Sequence, residues 1–84
     1  MTNSTINPKK IQWKCRRGML ELDIILNKFF ETEFSQLTDS EKRLFDRFLD
    51  HPDPLLYDWL LGHDKPSDSK DLIMTNKIRK TTAS

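Results

Sequence analysis

The 84-residue chain has one cysteine, two glycines, one tyrosine and no apolar run near the roughly 20 residues that span a bilayer. Its lone cysteine, Cys15, excludes an internal disulfide and fits a reducing compartment. The isolated glycines, Gly18 and Gly62, cannot build a phosphate-cradling loop. Cys15, His51 and His63 are the only thiol and imidazole groups, and no metal-ligand spacing joins them. Met1 to Asn7 carry no side-chain charge and match neither a signal peptide nor an Arg-rich transit peptide. The expectation is a soluble, cytoplasmic protein with no membrane insertion and no metal.

A chain of this length forms one domain, here 1–84 with an ordered core over about 8–80 and flexible ends. It buries only about 60–65% of its unfolded surface, leaving little room for a deep substrate pocket. Work at a surface is therefore the first expectation. The net charge is +1, from 14 cations and 13 anions. It is unevenly spread: five cations and no acid precede Glu21, the middle is acid-rich, and Lys77, Arg79 and Lys80 make the tail basic. A basic end suits an acidic or phosphate-bearing partner. Near-neutrality overall, with acidic or apolar helices where a recognition helix would lie, argues against nucleic acid.

Apolar residues recur at helical spacing almost throughout, and no stretch alternates like a strand. The pattern predicts an all-α fold, a small bundle of five short helices. Asn7-Pro8 opens the first helix, which carries Ile11, Trp13 and Cys15 and stops at Gly18, with the glycine in a left-handed cap. Lys14, Arg16 and Arg17 then suit the negative end of its dipole. The second begins near Met19 with the stripe Leu22, Ile25, Leu26, Phe29, Phe30, and Phe34 anchors the connection after it. Thr38 and Glu41 form a capping box for a third helix bearing Leu44, Phe45, Phe48 and Leu49. His51-Pro52-Asp53-Pro54 breaks that helix, and Asp53 caps a fourth, Leu55 to Leu61, ended by Gly62. A weaker fifth helix spans Lys70 to about Lys80 on Leu72, Ile73 and Ile78, and Thr81 to Ser84 fray. His51 and His63 read as partners of helix C-termini. Trp13 and Trp59 read as core or interface anchors, with Trp59 in the core.

The chemistry that remains lies in Arg16-Arg17-Gly18-Met19-Leu20-Glu21-Leu22-Asp23. Helix dipoles and a glycine cap account for every charge in it, with Arg17 and Glu21 able to pair across the turn. Equally, Gly18 opens the backbone to a partner while arginine forks and carboxylates project beside it. The residues alone leave both readings open. Cys15 has no neighbouring base to make it a nucleophile and reads as a small buried hydrophobe.

This run resembles the Arg-Gly-x-x-Glu signature of the succinate dehydrogenase flavinylation factors. Further similarity covers roughly Ile11 to Pro66, through Trp13, Cys15, Phe29-Phe30-Glu31, Leu37 to Arg43, and the Asp53-Pro54 helix with Trp59-Leu60. The resemblance implies a non-enzymatic FAD assembly factor. It would bind the flavoprotein subunit of succinate dehydrogenase and promote covalent attachment of FAD to a histidine there. It leaves open whether the fumarate reductase subunit is served as well. It further implies a partner-binding face of Arg16, Arg17, Gly18, Glu21 and Asp23, with no catalytic residue and no cofactor of the factor's own. Two other readings stand beside it: an antitoxin-like regulatory module using the same surface, and a carrier that binds FAD directly.

Overall fold

The computed structural model describes residues 6–83; Met1 to Thr5 and Ser84, expected from the sequence to be flexible ends, lie outside them. Five helices run in the order α1 (Pro8–Lys14), α2 (Leu20–Glu33), α3 (Asp39–Phe48), α4 (Asp53–Leu60) and α5 (Ser69–Ala83), with a 3-10 turn, Phe34–Gln36, after α2. The all-α bundle read from the periodicity is the fold found.

Asn7 caps α1, its side-chain oxygen accepting from the Lys10 N–H at 3.3 Å, and Pro8 supplies the preset φ of a first turn. The helix does not reach Gly18. It closes tightly at Cys15, whose N–H donates to the Gln12 carbonyl while the Arg16 N–H donates to that of Trp13, both at 3.1 Å. Gly18 consequently never enters the left-handed region; Gly62, at φ +81°, is the only residue described that does.

Leu22, Leu26 and Phe29 give α2 its buried side, and Ile25 and Phe30 pack at its margin. Phe34 in the 3-10 turn stacks on Phe30 at 4.6 Å and closes the core over Phe45. Thr38 and Glu41 form the reciprocal capping box of α3, with bonds of 3.1 and 2.9 Å. Phe45 and Phe48 then enter the core, Phe45 tilted 5.1 Å from Phe29 and Phe48 6.0 Å from Trp59. Trp59 is a core residue. Burial of each such ring contributes about 2–3 kcal/mol, so the Phe29–Phe45–Phe48–Trp59 spine dominates the stability of this small domain.

Three predicted details of the second half shift. Pro52 occupies the N-cap position of α4, so Asp53 is its first residue, and its carboxylate does not cap its own helix. In α5 the buried positions are Met74, Thr75 and Ile78, whereas Ile73 is exposed. Each hydroxyl of Thr81 and Thr82 donates to the carbonyl four residues back, and the helix continues to Ala83 instead of fraying after Lys80. α5 packs against α2, α3 and α4, closing the bundle.

Candidate functional site

The turn between α1 and α2 lies beside the C-terminal half of α3, where helix geometry leaves carbonyls unpartnered. Cations from the first helix region satisfy them. Lys14 Nζ donates to the Asp46 carbonyl at 2.9 Å and pairs with the carboxylates of Asp46 at 2.6 Å and Asp50 at 2.7 Å. Burial alone would lower the Lys14 pKa, but the hydrogen bonds and charges of the two aspartates outweigh it and raise it above the ordinary value.

Arg17 makes the more extensive connection. Its guanidinium donates to the Leu49 carbonyl and, at 3.1 Å, to the Asp53 carboxylate, and its side chain is only 13% exposed. Its Nε is buried without an acceptor. The Arg17 N–H donates to the Asp23 carboxylate at 3.1 Å, and the Asn27 amide donates to the Asp23 carbonyl at 2.7 Å and to the Cys15 carbonyl at 3.3 Å. Of the five residues expected to face a partner, Arg17 and Asp23 are thus turned inward, and Arg17 pairs with Asp53, not Glu21. The physical reason is the proximity of the α3–α4 corner, which offers a carbonyl and a carboxylate in fork geometry.

The other three face solvent. Arg16 lies over the Trp13 ring, 5.5 Å from its centroid. Glu21 is exposed in the first turn of α2, where carboxylates suit the helix dipole. A Cβ at Gly18 would meet nothing within 4 Å. Around them the chain exposes large apolar side chains: Trp13 at 70%, Leu20 at 67% and Ile24 at 57%. Leu20 and Ile24 stand one helical turn apart on the solvent side of α2, next to Glu21. Sequence reasoning passed over both. Their signal was an i, i+4 apolar pair lying off the Leu22–Leu26–Phe29 stripe, which a buried-face reading leaves unexplained.

Beneath this face Cys15 is wholly buried, and burial pushes its thiol up to about 12, so it is neutral and inert at neutral pH. His51 lies just past the end of α3, its N–H donating to the Phe48 carbonyl; its Nε2 is 3.0 Å from the Asp71 carboxylate, and its ring meets Trp59 edge-on at 5.0 Å. His63 sits against Tyr57 with its Nδ1 3.6 Å from Asp58. Among the described residues no three His, Cys, Asp or Glu side chains group in a way that could hold a metal ion, and no helix is long and apolar enough to cross a membrane.

Five helices about one core, with an open glycine among exposed aromatic, aliphatic and charged side chains, define a small all-α bundle with no strand among the described residues. The family model described as flavinator of succinate dehydrogenase matches residues 9–82, and the chain belongs to that family. It is 53% identical over 81 residues to the FAD assembly factor SdhE of Coxiella burnetii, covering 96% of this chain and 99% of that protein. Its identity to the same-named protein of Yersinia pseudotuberculosis is 50% over 73 residues, covering 87% of this chain and 83% of the relative. With the Legionella pneumophila protein of that name it is 53% over 57 residues, or 68% of this chain and 72% of the relative.

Proposed function

We propose that the chain is an assembly factor that docks on the flavoprotein subunit of succinate dehydrogenase and promotes covalent attachment of FAD to it. Membership of the flavinator family supports this, as do the names of its relatives. The observation that carries the docking face is Gly18. Its backbone is not left-handed and a side chain there would touch nothing, so the fold itself makes no demand for glycine. A bare backbone at that point serves close approach by something outside the molecule. Trp13, Leu20 and Ile24 supply the apolar anchors around it, and Arg16 and Glu21 supply orientation.

The factor contributes no nucleophile and no cofactor of its own. The one thiol is buried and protonated, and positioning of the flavoprotein's histidine against the flavin is the contribution a surface can make, worth several kcal/mol of barrier. The lone free thiol is compatible with action in the cytoplasm. The fumarate reductase flavoprotein is a second proposed client, to be assayed in parallel.

The test incubates purified apo-flavoprotein subunit, FAD and a dicarboxylate with and without the protein, then measures in-gel flavin fluorescence after denaturing electrophoresis. A faster rise in covalent flavin supports the reading. An unchanged rate, with a flavoprotein competent to self-flavinylate, overturns it and favours a regulatory binding module. A carrier role would instead show as saturable quenching of Trp13 when free FAD alone is added. Arg16 already covers one face of that ring.

A further inference from the structure

We propose that Asp53, at the start of α4, is a positioning residue for the docking turn. It acts through Arg17 to hold Gly18 in the shape the partner reads. The inference rests on the docking face proposed above and adds to it a residue from a different helix.

The turn is anchored at its margins, by buried Cys15 and the Arg16 N–H on one side and by Met19 against the core on the other, and its middle has fewer supports. Residues 15–19 belong to no helix, and even a Cβ at Gly18 would contact nothing. What holds the middle of this stretch is Arg17, bonded through both its backbone and its side chain. Its backbone N–H donates to Asp23 of α2, and its guanidinium bridges the Leu49 carbonyl after α3 and the Asp53 carboxylate of α4. One residue therefore ties the turn to α2 through its backbone, and to the end of α3 and the start of α4 through its side chain. The planar guanidinium presents its donors in a fixed fork that meets both acceptors in one geometry. The side chain is 13% exposed and both terminal nitrogens of its guanidinium are engaged, so a docking partner meets Gly18, Arg16 and Glu21 while Arg17 stays beneath them. Arginine in the signature is then required for the shape of the turn, and Asp53 is required for the arginine.

A double-mutant cycle on binding tests this, with affinity for the apo-flavoprotein subunit measured for Arg17→Ala, Asp53→Ala and the pair. Asp53→Ala is expected to weaken docking about tenfold, and the double variant to bind within about twofold of Arg17→Ala alone, as residues acting in one device do. Hydrogen exchange supplies a readout that a merely stabilising pair would not move selectively. The amides of residues 16–19 should exchange faster in Asp53→Ala while those of α3 and α5 stay protected. If Asp53→Ala does not fold, Asp53→Asn, which keeps the size and loses the charge, takes its place in both measurements. Wild-type affinity and exchange in the folded variant overturn the proposal, and so do additive effects, which would mean Arg17 touches the partner itself. Gly18→Arg is the control for the docking face. If it binds normally, the face is wrong. If it abolishes binding while Asp53→Ala binds normally, the face stands and the positioning role falls.

Discussion

A Cβ built on Gly62 would lie 2.8 Å from the Arg79 guanidinium, on a backbone at φ +81°, whereas one on Gly18 would meet nothing. The chain's two glycines thus answer to different demands. Arg79 is flexible and can swing aside, so the backbone sets the cost at Gly62. Gly62→Ala should destabilise by about 1–2 kcal/mol in chemical denaturation. Gly18→Ala should stay within about 0.5 kcal/mol of the parent, and Gly18→Arg should fold with the parent melting temperature yet fail to accelerate flavinylation. Thr75 offers the opposite test. It is buried with its hydroxyl unpartnered, so Thr75→Val, which removes the orphan and keeps the shape, should raise stability by about 1 kcal/mol. Buried Cys15 should resist a thiol reagent in the native state and react once the bundle is unfolded by denaturant.

The two ends of α3 explain what could be read from the sequence and what could not. Its start is a local device: Thr38 and Glu41 bond within four residues, so four letters suffice to see it. Thr38→Ala should cost about 1 kcal/mol, read from the shift in denaturation midpoint. The place of its finish was legible from the prolines after His51, but the cations that satisfy its last carbonyls, Lys14 and Arg17, are each 32 residues from the carbonyl they serve. No spacing rule reaches that far, and the nearest local account, cations at the end of their own helix, was plausible and incomplete. The same limit hid Asp53, which looked like a cap because it precedes a proline. It also hid the inward turn of Asp23 and the exposure of Ile73. Elements defined by periodicity, such as the Leu22–Leu26–Phe29 face, were legible because their partners need only be apolar. For Gly18, Arg16 and Glu21 the sequence left a helix-end reading and a partner reading equally open; in the structure Gly18 is no left-handed cap, Arg16 lies over Trp13, and Glu21 is exposed in the first turn of α2.

At the scale of the whole molecule, three groups held away from their ordinary values make stability depend on pH. The Thr38 N–H, and then Lys77, hold the Glu41 carboxyl below its ordinary value of 4.5. A depressed value means that its stabilisation is full above about pH 4.5 and is lost as pH falls through the folded-state value. Cys15, raised by burial from 9.0 to about 12, works the other way. Its contribution is full below pH 9.0 and fades as the medium approaches about 12, with Lys14, raised above 10.5, failing in the same direction. Melting temperature against pH should therefore be a plateau with two shoulders, and Glu41→Gln should flatten the acid one. Trp13→Ala belongs to this scale as well. A side chain 70% exposed contributes little to the bundle, so its loss should leave the melt unchanged and slow flavinylation if the surface it belongs to is the one that docks.

The bridge from Arg17 to Leu49 and Asp53 also orders events in time. Synthesis delivers the Arg-Gly turn early, but the groups that grip it come more than 30 residues later. A nascent chain emerging from the ribosome, or a proteolytic fragment ending before α4, would carry every letter of the signature and still lack its fixed form. Such a piece would not compete with the finished protein for its partner, and only a chain that has closed its α3–α4 corner would be competent to dock.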